Sequence, residues 1–398
     1  MKISATSLCP LGFLSTGDKT VPGNNGLKDQ NLAIRWVKKN IIHFGGDPNC
    51  ITVWGQSAGA ASAHLQMLSP WSKGLFNRVI SQSGTGLAYW AIAPNDTAVR
   101  NGKKLASSFN CSINSSTEMV ECLKRVDAYE LTERQHAFYE WFIDPMMLFR
   151  PVVEPNIENA FLPEHPAEII KSGKAAKIPF LTGITTQDGA FRSSVIFAKP
   201  NLVEELDANF SRIAPLTFLY DEIATDKDYV TRRIKEFYFD NNTITNSSKM
   251  ELTDVYTDAM FLTGANNALW LHLNHTDQPV YYYAFGYRSN YSFLDLTVND
   301  SYNYGVSHSD DLLYLFLPKL AFPEYEPSAS DENVRSTLTS LWVDFATFGN
   351  PTPNSQDYKK WKPVQSTNLE YYFVKNDTSM AERLYWNRTQ MWKSFPLM

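Results

Sequence analysis

The chain has 398 residues, 43% hydrophobic and 14% aromatic, enough to bury a large core as one big α/β domain or two smaller ones. This composition excludes a disordered chain. The net charge of −6 gives no basic footprint for nucleic acid or anionic membranes, and no run reaches the ~18 apolar residues of a membrane span.

The first stretch, "MKISATSLCPLGFLSTG", has Lys2 and a weakly apolar middle. Ser4, Thr6, Ser7 and Pro10 interrupt it, so it does not read as a secretory leader. Residues 11–26 read as a strand end followed by a turn-rich loop. "LKDQNLAIRWVKKNIIHFGGDP" places Leu27, Leu32, Ile34, Trp36, Val37 and Ile41 at helical spacing and stops at Gly-Gly-Asp-Pro. Residues 50–54 are a short buried strand, 58–69 a helix of small residues, and 78–84 the next strand. Helices and loops fill 95–175. Strands are expected at 178–183 and 279–287, a largely helical region at 198–275, and a helix at 333–349 that ends at Gly349. Strands alternating with helices indicate a mainly parallel α/β sheet.

Two features point to an oxidising secretory route. Asn-X-Ser/Thr acceptor sites occur at Asn95, Asn110, Asn114, Asn209, Asn241, Asn246, Asn274, Asn290, Asn299, Asn376 and Asn387. Of four cysteines, Cys111 and Cys122 are close enough in a polar stretch to clip one small loop, whereas Cys9 and Cys50 have no obvious partner. No His/Cys cluster has ligand spacing, so neither a metal nor an organic cofactor is expected. Oligomeric state is left open.

The stretch "ITVWGQSAGAAS" carries the chemistry. A β-branched run stops at Gly55, and Gly55-Gln56-Ser57-Ala58-Gly59 then leads into a helix. This strand–turn–helix pentapeptide is a nucleophile elbow: a strained turn holds the serine, and small neighbours on either side avoid a clash. The helix N-terminus behind Ser57 favours the oxyanion that forms on attack. The hydroxyl needs a histidine base, and the base a carboxylate to orient it. Of seven histidines, His43 precedes the serine, His64 lies on the helix after it and faces away, His136 and His165 fall in the middle segment, and His272 and His275 sit in a helix end and a glycosylation acceptor site. His308, in "NYGVSHSDDLLYLF", follows a late strand, where the base belongs. Asp188, in "IPFLTGITTQDGAF", follows a buried strand and supplies the acid. Asp310 and Asp311 read as helix N-terminal charges.

These stretches, together with "VPGNNGLKDQNLAIRWVKKNI", "FGGDPNCITVWGQSAG", "MLSPWSKGLFNRVISQSGT" and "FRPVVEPNIENAFL", run in order along nearly the whole chain. In them the chain resembles a type-B carboxylesterase of the carboxylesterase/cholinesterase branch of the α/β-hydrolases. The resemblance implies Ser57 as nucleophile, His308 as base and Asp188 as acid, the family's usual acid being Glu. It implies the Ala58 N–H as an oxyanion donor, Ser83 as an auxiliary serine, Trp90 in the acyl pocket, and a Cys111–Cys122 disulfide. Family members carry over a hundred residues before "PLGFLST", including a His-Gly-Gly-Gly loop with two oxyanion donors. The chain is therefore expected to be an N-terminally truncated form. It would be one partial domain over residues 1–398, with early strands missing and apolar surface uncovered. Asp29 would lack the family's arginine partner. The expected function is hydrolysis of small carboxylic esters in the secretory pathway or outside the cell, weak in this chain. The alternative is a secreted, non-catalytic binding or adhesion protein.

Overall fold

The computed structural model describes residues 9–316, 318–355, 360–365 and 368–397. Residues 1–8 of the first stretch read above lie outside them. The elements in order are α1 (Pro10–Phe13), α2 (Asn25–Asn40), β1 (Thr52–Gln56), α3 (Ala58–Leu68), β2 (Arg78–Gln82), α4 (Asn95–Ser108), α5 (Ser116–Leu123), α6 (Ala128–Glu133), α7 (Pro166–Lys171) and β3 (Phe180–Thr185). There follow α8 (Ala190–Phe197), α9 (Pro200–Ala208), α10 (Phe210–Thr217), α11 (Lys227–Phe239), α12 (Lys249–Thr257), α13 (Thr263–His275), β4 (Val280–Phe285), α14 (Ala329–Phe348), β5 (Tyr371–Val374), β6 (Ser379–Ala381) and α15 (Trp386–Lys393).

The six strands form one sheet in the order β1-β2-β3-β4-β5-β6, with β1 to β5 parallel and β6 antiparallel. Every side chain of β3 and β4 is buried, as a parallel sheet covered on both faces requires. Strand alternation sorts the residues into two cores. Val79, Phe180, Ile184, Val280, Tyr282 and Tyr371 pack on one face. Ile80, Leu181, Tyr281, Tyr283, Phe285 and Tyr372 pack on the other, with Trp342 of α14 and Trp361. The parallel α/β architecture expected from the sequence is present.

Three local expectations are corrected. Residues 10–13 are a helical turn, not a strand end: Pro10 occupies the first helical position, and the Gly12 and Phe13 N–H groups donate to the Cys9 carbonyl. The first strand runs two residues further than expected, to Gln56, because its ladder with β2 continues to the Gln56–Gln82 pair. The sequence reading also lacked β5, β6 and α15, which complete the far side of the sheet. Gly349 does terminate α14, with φ 70°.

β1 lies at the edge of the sheet. Trp54 on it, Leu32 and Trp36 on α2, and Ile42, Phe44 and Phe316 are all exposed, Phe44 at 69%. At this edge the exposed Trp54 and Phe316 rings stack on each other, 5.2 Å between centres. Asp29 is itself exposed, so it carries no buried-charge penalty.

Candidate active site

The site is built at the carboxyl ends of the strands, where open α/β sheets place their ligands. β1 ends at Gln56, and Ser57 turns left-handed (φ 57°, ψ −124°) before α3 begins at Ala58. Such a conformation costs a non-glycine residue about 1–3 kcal/mol and persists only where surrounding contacts hold it. Here the Ser57 N–H donates to the Gln82 carbonyl (2.8 Å), and the Ser57 carbonyl accepts from Ala60 and Ala61. A Cβ at Gly55 would lie 2.0 Å from the Gly59 carbonyl oxygen, so glycine is required there. A Cβ at Gly59 would meet nothing within 4 Å. The expectation that both elbow glycines relieve a clash therefore holds for Gly55 alone. Gly84, which the sequence reading missed, is the second constraint: its Cβ would lie 2.6 Å from the Ser57 carbonyl oxygen. The Ala58 N–H, at the positive end of α3, has no acceptor among the described residues.

His308 follows β4 and meets Asp188, three residues past β3, with Nδ1 to Oδ1 at 2.8 Å. Asp188 is fully buried, and its Oδ2 accepts from Ser83 Oγ (2.8 Å) and the Thr185 N–H (3.0 Å). With Nδ1–H committed to Asp188, His308 Nε2 carries the acceptor lone pair. In this structure the Gln56 side-chain amide Nε2 reaches it at 3.1 Å. No hydrogen bond joins Ser57 Oγ to His308 among the described residues. The imidazole packs against Phe261 (4.6 Å between ring centres, stacked) and Phe191 (5.0 Å), which also touch each other (6.0 Å). Phe261 belongs to a π-helical turn, Asp258–Leu262, an insertion frequent at functional sites.

A pair of hydrogen bonds joins the loops that carry Asp188 and His308. The Gln187 N–H donates to the Val306 carbonyl (2.9 Å), and the Val306 N–H donates to Gln187 Oε1 (3.0 Å). Gly305, at φ 86°, permits this approach, since a Cβ there would lie 2.3 Å from that oxygen. Neither Gln187 nor the two phenylalanines was singled out from sequence. Their only local signal is adjacency to Asp188 or lodging in apolar helices.

Trp90 is buried, donates from Nε1 to the Met260 carbonyl (2.6 Å), and its ring edge approaches Gly84 beside the Ser57 turn. Asp310 and Asp311 are more than helix N-terminal charges, because both are buried. Asp310 accepts from Ser292 and from the Phe293 and Ser307 N–H groups. Asp311 accepts from Gln82 and Tyr283. Burial pushes each carboxyl up to about 6. His64 faces away from the elbow, as expected, and pairs with His272 at 2.9 Å. His43, His136, His165 and His275 are exposed. Cys111 and Cys122 are bridged, and Cys9 and Cys50 are free. All eleven acceptor asparagines are exposed.

The chain as a whole is similar to known proteins. The carboxylesterase family model matches residues 7–392. The chain belongs to the carboxylesterase family. It is 32% identical to juvenile hormone esterase of Tribolium castaneum over 97% of this chain and 71% of that one. It is 34% identical to esterase FE4 of Myzus persicae over 91% of this chain and 63% of the relative. Against human bile salt-activated lipase it is 33% identical over 96% of this chain and 50% of the relative. The chain thus spans between half and about seven-tenths of these carboxylesterases' lengths. The fold is that of the α/β-hydrolases, as the resemblance implied. No helix among the described residues is long and apolar enough to cross a membrane.

Proposed function

We propose that this carboxylesterase-family chain hydrolyses small carboxylic esters through an acyl-enzyme on Ser57. The observation that carries the reading is the His308–Asp188 bond of 2.8 Å beside a serine held in a strained left-handed turn. Ser57 Oγ attacks the ester carbonyl, and its proton passes to His308 Nε2 once the Gln56 amide has moved aside. Asp188 keeps the proton on Nδ1 and stabilises the imidazolium. The Ala58 N–H receives charge developing on the carbonyl oxygen. The alcohol leaves with the proton from His308. Water, activated by the same base, then releases the acid. Trp90 borders the acyl side, and Ser83 holds the second oxygen of Asp188.

We propose that residues 1–398 act as one domain and that turnover by this chain is weak. Loss of one oxyanion donor costs roughly 10²–10³ in rate where measured, and Ala58 is the donor assigned here. Eleven exposed glycosylation acceptors and the Cys111–Cys122 bridge support a secretory location. The acidic net charge argues against nucleic acid as a partner. The relatives named above are esterases and a lipase, which gives the non-catalytic adhesion alternative no support.

The test is a fluorophosphonate label on the purified chain, followed by peptide mapping and turnover of a short-chain aryl ester. The expected adduct is on Ser57, and Ser57→Ala abolishes both label and turnover. Turnover unchanged in that variant removes Ser57 from the mechanism.

A further inference from the structure

Gln82 occupies the last position of β2, deep in the sheet and with no exposed surface. An aliphatic residue there would be cheap, whereas a buried amide costs free energy unless its polar atoms are paired. Its polar atoms are engaged on three sides. Oε1 accepts from the indole N–H of Trp54 on β1 and from that of Trp342 on α14 (3.0 Å). Nε2 donates to Asp311 Oδ2 (2.6 Å). The backbone carbonyl accepts the Ser57 N–H at 2.8 Å. The next residue, Ser83, donates to Asp188.

Asp311 lies three residues after His308, in the 3-10 turn Asp310–Tyr314. Its Oδ2 receives Gln82 and Tyr283, while its Oδ1 is buried with no partner among the described residues. One side chain and its own carbonyl thus connect the turn that bears the nucleophile with the turn that bears the base. Strand pairing does not make this link, because β1 and β4 are not neighbours.

We propose that Gln82 is a positioning residue that sets the Ser57 turn and the His308 turn in register with each other. The amide is the chemistry this position needs. A glutamate would still accept the two indole donors but would face Asp311 with a second carboxylate, and an aliphatic residue would remove the acceptor of both indole N–H groups and leave Asp311 Oδ2 with Tyr283 alone. The inference rests on the ester-hydrolase reading for its catalytic meaning.

The discriminating variants are Gln82→Glu and Gln82→Glu combined with Asp311→Asn. In the single variant two buried carboxyls share one proton, and its loss as pH rises drives the turns apart. The other ionisable groups around Asp311 are Asp310 and His308 on its own segment, Tyr283 from β4, and Asp188 beyond β3. Gln82 from β2 is neutral. Fluorophosphonate labelling of Ser57 in Gln82→Glu should match the native rate within about threefold near pH 6 and fall about tenfold or more below it near pH 8.5. The double variant, in which an asparagine N–H donates to the new carboxylate, should recover to within about threefold throughout. A purely structural role would lower thermal stability and give a labelling ratio that is constant with pH. A constant ratio, or a double variant as slow as the single, overturns the proposal.

Absence of any label on the native chain would instead sink the hydrolase reading. The ring signals of isotope-labelled His308 then decide the role of Gln82. A titration displaced in Gln82→Glu and restored by Asp311→Asn supports it, and coincident titrations in all three proteins overturn it.

Discussion

The side-chain amide of Gln56 stands 3.1 Å from Nε2 of His308, on the lone pair that the proposed base must use. Gln56 directly precedes Ser57, so the elbow that presents the proposed nucleophile also presents a competitor for the proposed base. The charge on this side chain should therefore tune the pH dependence. In Gln56→Glu a carboxylate replaces the amide and favours the imidazolium. The acidic limb of kcat/KM should move to higher pH by about one to three units. A limb that stays in place in a pH–rate profile would show that residue 56 does not face the working base.

Asp188 and Asp310 are both buried acids near His308 in sequence or space, and the structure separates their tasks. Asp188 bonds Nδ1, whereas Asp310 is occupied by Ser292 and two backbone N–H groups. Asp188→Asn should lower kcat by about 10⁴, as loss of the orienting carboxylate does in serine hydrolases, with little change in melting temperature. Asp310→Asn should act mainly on stability. Reversed effects in paired kinetic and thermal measurements would reassign the acid.

The two elbow glycines should respond oppositely to alanine. Gly55→Ala drives a methyl group into the Gly59 carbonyl and should abolish labelling at Ser57. Gly59→Ala has open space and lies in α3, so it should keep the label and raise stability by up to about 1 kcal/mol. Equal loss of labelling in both variants would contradict this asymmetry of the turn.

Acid should weaken the fold through the His64–His272 pair. His64 Nδ1 accepts the Gly86 N–H, so its Nε2–H donates to His272 Nε2 and both rings are held neutral. Burial lowers His64 well below its ordinary value and brings His272 down to about 4. Below the ordinary histidine value of 6.5 the unfolded chain binds protons that the folded chain refuses, so stability falls as pH falls. For His272 the loss accumulates to about 3 kcal/mol between pH 6.5 and pH 4. Asp310 and Asp311 act oppositely over part of this range, so the test is comparative. The stability advantage of the native chain over His272→Gln should shrink from pH 7 to pH 5. A constant difference in denaturant titrations would show that the pair does not titrate on unfolding.

The Cys111–Cys122 bridge closes a short loop and should contribute roughly 3 kcal/mol, so Cys111→Ser should lower the denaturation midpoint while leaving labelling at Ser57 intact. Peptide mapping without reduction should find Cys9 and Cys50 as thiols. A linkage from Cys50 to Cys111 would refute the pairing.

The sequence by itself determined the strand–turn–helix around Ser57, the parallel sheet and the family. These are written in local signals: a β-branched run, a small-residue turn, and strands alternating with helices. It also singled out His308 and Asp188, because chain order on this fold restricts where the base and acid emerge. The partners of those residues depended on tertiary structure. Gln82, Gln187 and Phe261 are ordinary in their own stretches, and they matter through partners far along the chain: Asp311 lies 229 residues from Gln82, Val306 lies 119 residues from Gln187, and Phe261 stacks on His308. The buried state of Asp310 and Asp311 was equally invisible, since an acidic pair at the start of a helical turn looks the same whether it faces water or the sheet. Periodicity records which face of one element is apolar. It carries no record of which other element that face will meet, and hydrogen bonds across the sheet are decided only when the layers close.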